Sequence, residues 1–330
     1  MLVATADAAA GDIRGFSSSH ASTVLMPDPQ RVFIVGCPRS GTTVVQALIA
    51  RHPVVHSFRE TGFFESLYGS IRRRWGDHGA HAERHWYHRM GLTRSSGRRR
   101  LRELERMLAA EDAPRAAPLT PAACVHRYID LLDGCTRRSG AALWVEKTPS
   151  HLMYVDEIAR HVPDARFIHV LRNGADVMAS IMDADLHQPT HDFGGGLAVW
   201  ARRWNRSIEM HLACRNQPRH LLLCLEDLTA RPQWGWERIC GFLGLDDALP
   251  LLPQPASRIT DPDSEPWKRT AASGQLATPT HKIDALFGPA ARAWMRANLR
   301  DYAEVRALIG TPHGNAPVQD IETYRRRRSR

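Results

Sequence analysis

The run Arg31-Val-Phe-Ile-Val-Gly-Cys-Pro-Arg-Ser-Gly-Thr-Thr43 constrains this chain more than any other feature. The apolar, largely β-branched stretch Val32–Val35 reads as a buried strand. A short loop follows, and then the helical pattern Val44-Val-Gln-Ala-Leu-Ile-Ala50. A strand that feeds a Gly-containing loop at a helix N-terminus is suited to an anion. The first-turn N–H groups have no acceptor within the helix, and the helix dipole favours negative charge there.

The loop departs from a nucleoside-triphosphate cradle in one respect. Gly36 and Gly41 keep the glycine spacing of G-x-x-x-x-G-K-[ST], but Thr42 stands at the lysine position. The loop's cation is Arg39, three residues earlier. Such a loop suits a terminal phosphate and is poorly built for a magnesium-bound triphosphate. The plain alternative is an ordinary strand-turn-helix with no ligand.

A chain of 330 residues has room for one large α/β domain or two smaller ones, and 43% hydrophobic residues suffice for a sizeable core. No stretch approaches the roughly 20 apolar residues of a membrane span, and the N-terminus lacks the pattern of a secretory signal. Six cysteines without a C-x-x-C pair read as buried free thiols in a reducing compartment, so a cytoplasmic location is expected. The net charge of +9 favours anionic ligands without choosing among them. Much of it sits in arginine clusters, including Arg325–Arg328 of a tail that reads as a solvated end.

Strand signals at Arg31–Val35, Val54–Phe58, Ala141–Val145, Arg166–Leu171 and His220–Leu225 alternate with helical ones at Thr42–Arg51, Met153–His161, Ala175–Met182, Leu197–Cys214 and Trp234–Leu243. The expected fold is α/β, a P-loop-like parallel sheet of about five strands flanked by helices, with a helical insertion at about 66–140. One domain is expected over 30–311, between a disordered segment 1–29 and a basic disordered tail 312–330.

Ligands of open α/β sheets bind beyond the carboxyl ends of the strands. Those ends deliver Arg39–Thr43, Glu60, Lys147 after Glu146, and Arg172 followed by Ser180 on the next helix. One carboxylate, three cations and several hydroxyls on one rim suit a doubly anionic ligand and one proton acceptor. Each residue has a plainer reading: Glu60 paired with Arg59 or another arginine, Lys147 a surface charge, Arg172 paired with Asp176, and Ser180 a surface hydroxyl.

The loop Pro38-Arg-Ser-Gly-Thr-Thr43 resembles the 5′-phosphosulfate loop of sulfotransferases that use 3′-phosphoadenosine 5′-phosphosulfate (PAPS). It looks most like the tyrosylprotein-sulfotransferase-like branch. Arg172 and Ser180 resemble that family's 3′-phosphate grip, Glu146-Lys-Thr-Pro149 its lysine loop, and Arg59-Glu60-Thr61 the segment carrying its catalytic carboxylate. The similarity runs from about Arg31 to Leu245, with 66–140 unmatched. It implies sulfuryl transfer from PAPS to a hydroxyl, phenolic by analogy, on a small molecule or peptide.

In that scheme Glu60 is the general base. Arg39 and Lys147 stabilise charge, Ser40, Gly41, Thr42 and Thr43 bind the 5′-phosphate, and Arg172 and Ser180 the 3′-phosphate. Trp267-Lys268-Arg269, with Ser273 and Gly274, is placed to fold over the nucleotide. No metal is expected in the chemistry. The family's adenine-stacking aromatic is Leu225 here, and neither a signal anchor nor a disulfide framework accompanies the motifs, so a secretory-pathway enzyme is not expected and the branch's peptide-tyrosine substrate is not carried over. Two other classes stay open: a nucleotide kinase with a degenerate P-loop, and a non-catalytic nucleic-acid binder that uses the basic clusters. His78, His81, His85 and His88 share helical spacing and read as a solvated face or cleft lining. The insert, with Trp75, Trp86 and Tyr87, and the 183–196 loop, with His187 and His191, are expected to border the acceptor. A homodimer is left open.

Overall fold

Five short strands, almost wholly buried, pair in parallel in the order β2-β3-β1-β4-β5. They are β1 (Gln30–Gly36), β2 (Val55–Phe58), β3 (Leu143–Lys147), β4 (Arg166–Leu171) and β5 (His220–Cys224). The computed structural model of the chain describes residues 28–77, 79, 90–108, 116–187, 194–261, 268–276 and 282–310. Parallel neighbours cannot be joined by tight hairpins and need crossovers, which the helices supply. Helices α1 (Thr42–Ala50), α2 (Phe63–Tyr68), α3 (Ile71–Arg74), α4 (Ser95–Leu108) and α5 (Pro121–Arg138) precede β3. Helix α6 (Val155–His161) leads to β4, and α7 (Gly174–His187) and α8 (Gly196–Cys214) lead to β5. After β5 come α9 (Leu225–Ala230), α10 (Pro232–Leu243), α11 (Arg269–Ala272), α12 (Ile283–Leu286), α13 (Pro289–Asn298) and α14 (Tyr302–Gly310).

The sheet is apolar on both faces because both are covered. Val32, Ile34, Val145, Ile168 and Val170 pack with Val45 and Ile49 of α1 and Ile239 and Leu243 of α10. Phe33, Val35, Trp144 and Phe167 alternate to the other face and pack with Tyr128 and Leu132 of α5 and Ile158 of α6. The expected α/β class with a parallel sheet of five strands is the one observed. Strand β1 lies at its centre, with β3 on one side and β4 on the other, so its carboxyl end is the point where the chain order reverses. Gly36 closes β1 there because β4 comes so near: a Cβ on it would sit 2.6 Å from the Val170 carbonyl oxygen.

Several boundaries differ from expectation. Strand β3 runs on through Glu146 and Lys147, both fully buried, where apolarity alone stops it at Val145. The helix expected from Met153 divides into a 3-10 turn, Pro149–Tyr154, and then α6. Leu225 opens α9 and does not end β5. Helices α13 and α14 were not anticipated. The insertion is helical, with no strand among its described residues. All six cysteines are free and buried, as expected. Burial pushes the Cys37 thiol up to about 12, so it is held as the thiol in the loop after β1. Among the described residues no helix is long and apolar enough to cross a membrane.

Candidate active site

At the carboxyl end of β1 the backbone turns sharply. Ser40 N donates to the Cys37 carbonyl at 3.1 Å, and Arg39 adopts a left-handed φ of 69°. Such a conformation is uncommon for a residue with a Cβ and is held only where its surroundings fix it. Gly41, at φ 94°, has no room for a side chain, because a Cβ would lie 2.8 Å from the Leu225 side chain. Helix α1 starts directly after it with no side-chain cap. Its first-turn N–H groups therefore face the loop's concavity without an intrahelical acceptor.

The cation of this loop meets residues from β4 and α7. Arg39 Nε donates to Ser180 Oγ at 3.1 Å, and Arg172 Nη1 donates to the Arg39 carbonyl at 3.1 Å. Arg172 Nε is buried and finds no hydrogen-bond acceptor among the described residues. Burial lowers the guanidinium's pKa, against the pull of Asp176 and Glu226. A buried N–H with no acceptor is costly, and an anion placed here would satisfy it. The turn that carries Arg172 is firmly set. Trp204 Nε1 donates to the Arg172 carbonyl at 3.0 Å, Asn173 Oδ1 caps α7 through Ala175 N at 2.9 Å, and Glu226 accepts from Asn173 N at 2.8 Å. A cavity of about 820 Å³ adjoins this turn, lined by Asn173, Gly174, Arg292, Arg296, Arg300 and Tyr302.

Beyond β2, Glu60 points at two lysines. Lys147 Nζ, fully buried at the end of β3, donates to Glu60 Oε1, and Lys268 Nζ donates to the same oxygen at 2.7 Å. Burial would raise the Glu60 pKa, but Lys147 and then Lys268 outweigh it and hold the carboxyl at about 2. Arg59 does not pair with Glu60. Its Nε donates to the Ser257 carbonyl at 2.7 Å, and its Nη1 lies 3.9 Å from Asp261.

Behind this pair lies a polar network that sequence reasoning missed. Consecutive strand residues point to opposite faces, so Glu146 turns away from Lys147 into the interior, where it is fully buried. Its Oε1 accepts from Thr61 N at 3.0 Å, Thr61 Oγ1 at 2.9 Å and Thr148 Oγ1 at 2.6 Å. Its Oε2 lies 3.0 Å from His151 Nδ1. Burial works to raise the Glu146 pKa, yet His151 and these donors keep it below the usual value. Glu146 thereby ties Thr61, next to Glu60, to Thr148, next to Lys147. The acidic-basic pair Glu146-Lys147 ending an apolar strand was the available signal. Glu146→Ala leaves several buried donors without an acceptor and is expected to cost about 3–5 kcal/mol by urea unfolding, with Glu146→Gln costing clearly less. A loss below about 1 kcal/mol for the alanine variant would show that the network does not hold these loops.

The structure thus brings Arg39, Arg172 and Ser180 together, and Glu60, Lys147 and Lys268 together, along one rim. Arg269 starts α11, whose Ala272 packs on Ala47 and Ala50 of α1. Trp75 is buried in the core. His187 is exposed, its Nδ1 2.7 Å from the Asp183 carbonyl. His78, His81, His85, His88, Trp86, Tyr87, His191, Trp267 and the arginine tail lie outside the described residues.

Residues 29–248 match the model of the sulfotransferase family. A putative protein-tyrosine sulfotransferase of Caenorhabditis briggsae is 22% identical over 225 residues, which are 68% of this chain and 68% of that protein. The protein-tyrosine sulfotransferase of Drosophila melanogaster is 25% identical over 215 residues, 64% of this chain but only 37% of that protein. Among solved structures, a sulfotransferase from Alicyclobacillus acidocaldarius aligns with 87% of this chain and 98% of its own, at 16% identity and a TM-score of 0.46.

Proposed function

Because this chain belongs to the sulfotransferase family, we propose that it moves a sulfuryl group from PAPS to an acceptor hydroxyl. The observation that carries the donor assignment is the buried Arg172 Nε, without an acceptor among the described residues, beside Arg39 and Ser180. A guanidinium and a hydroxyl suit a phosphate dianion, and here they bind the 3′-phosphate. The N–H groups at Ser40–Thr43 bind the 5′-phosphate.

The same reading assigns the chemistry to Glu60 and its partners. Bound PAPS supplies the sulfuryl group and a phosphate leaving group. Glu60 takes the acceptor's proton as its oxygen bonds to sulfur and the bond from sulfur to the bridging phosphate oxygen breaks. Arg39 and Lys147 stabilise the charge that develops on the sulfuryl and leaving oxygens. In the free protein Lys147 and Lys268 neutralise Glu60 and make it a weak base. As Lys147 and Lys268 turn toward the donor's charge, Glu60 gains basicity. The acceptor is a phenolic hydroxyl in this reading, supported by the protein-tyrosine names of the two relatives. A soluble cytoplasmic enzyme fits the six buried thiols.

Calorimetric titration with 3′-phosphoadenosine 5′-phosphate (PAP), with ADP as control and no magnesium, tests the donor assignment. Binding of PAP at least tenfold tighter than ADP is expected. Equal affinity, or no binding of either, would overturn it.

A further inference from the structure

On the face of the sheet that carries Phe33 and Phe167, a second polar cluster lies buried, and the sulfuryl-transfer reading does not use it. His169 sits in mid-β4 with no exposed surface. Both of its ring nitrogens meet other imidazoles. Nδ1 is 3.0 Å from His211 Nδ1, and Nε2 is 2.9 Å from His220 Nδ1. His211 and Cys214 are one turn apart at the end of α8, and residues 215–219 return the chain to His220 at the start of β5. The ligand atoms of His169, Cys214 and His220 all lie within 4.8 Å of one another.

We propose that His169, Cys214 and His220 form a zinc-type metal site, with His211 orienting His169 from behind. Two imidazole nitrogens and one thiolate are the donor set of a borderline divalent ion. Around zinc, with bonds of about 2.0–2.1 Å to nitrogen and about 2.3 Å to sulfur, neighbouring ligand atoms stand roughly 3.3–3.7 Å apart. To reach that spacing the two imidazole nitrogens, 2.9 Å apart, must part by roughly 0.4 Å, and the other pairs, at most 4.8 Å apart, must close by at most roughly 1.5 Å. His211 Nδ1 is placed to accept from His169 Nδ1–H, which fixes the tautomer that leaves Nε2 bare for the ion. His220 is part-exposed, so one side of the site is open to solvent for the fourth position.

Ligation takes neutral imidazoles and a thiolate, so binding would release the Cys214 proton to solvent. The metal would tie the end of α8 to β4 and β5, at the opposite end of β5 from the rim that holds Arg39 and Glu60. Its role is structural and separate from sulfuryl transfer.

The test uses the full chain, stripped with a chelator and titrated with cobalt(II). One equivalent is expected to bind with a thiolate-to-cobalt charge-transfer band that zinc abolishes, and zinc should raise the Tm of the stripped protein. Cys214→Ser should remove the band, and His220→Gln should weaken binding at least tenfold. His211→Gln should keep the band and weaken binding about 10–100-fold. A folded wild-type chain that shows no such band at millimolar cobalt would overturn the proposal and leave a hydrogen-bonded imidazole array. So would a band undiminished in Cys214→Ser. Should that variant not fold, unchanged affinity in His220→Gln overturns it equally.

Discussion

Replacing Glu60 by glutamine is expected to lower kcat about 10²–10⁴-fold, the range set by loss of a positioned general base. PAP affinity should hold or rise, because Glu60 pairs with Lys147 and Lys268 and its loss frees both cations for the donor's charge. Steady-state kinetics with calorimetry on the same preparation separates the two effects. A variant that keeps more than a tenth of wild-type kcat would remove Glu60 from the proposed mechanism. The same carboxylate has a signature in stability. Its folded-state pKa of about 2 lies below the ordinary 4.5. Its ion pairs therefore stabilise the fold fully above pH 4.5, and that contribution fades as the pH falls toward about 2. Glu60→Gln should flatten the acid limb of a stability-against-pH curve within that window.

Arg172→Ala is expected to weaken PAP about 10–100-fold, the loss of charge-assisted hydrogen bonds to a dianion. The preference for PAP over adenosine 5′-phosphate should disappear with it, since the contact proposed for the 3′-phosphate is removed. Titrating both ligands into wild type and variant reads the difference directly. Loss of affinity for both ligands in equal measure would point instead to collapse of the Arg39 loop, whose carbonyl Arg172 also holds. Arg172→Lys restores charge but not the planar fork, and should recover only part of the affinity.

The centre of the sheet was legible because β1, the anion loop and α1 obey local rules: an apolar run, a glycine turn and a helical pattern. Arg172 and Ser180 were legible for a similar reason, since a strand end and a helix eight residues on carry them. What escaped depends on distant pairings. Lys268 reaches Glu60 across 208 residues, and no local pattern encodes that contact. Lys147 was expected at the rim, but the full burial of both Glu146 and Lys147 was not, because each is held by polar partners that the sequence places elsewhere. His169 and His220, 51 positions apart, sit in apolar runs that read as ordinary core strands. The ends of β3 and β5 moved for the converse reason: tertiary hydrogen bonding, not hydrophobicity, decided where pairing stopped.

The six buried cysteines carry a practical consequence for anyone wishing to watch this molecule work. Burial raises every one of their thiols, Cys37, Cys214 and Cys240 to about 12 and Cys224 to about 11. At neutral pH the native chain therefore presents almost no thiolate to a maleimide or iodoacetamide. A single cysteine introduced on an exposed helix position, such as Arg102→Cys on α4, would outcompete all six. A fluorophore or spin label attached there would report on the helical insertion without any native cysteine being removed first.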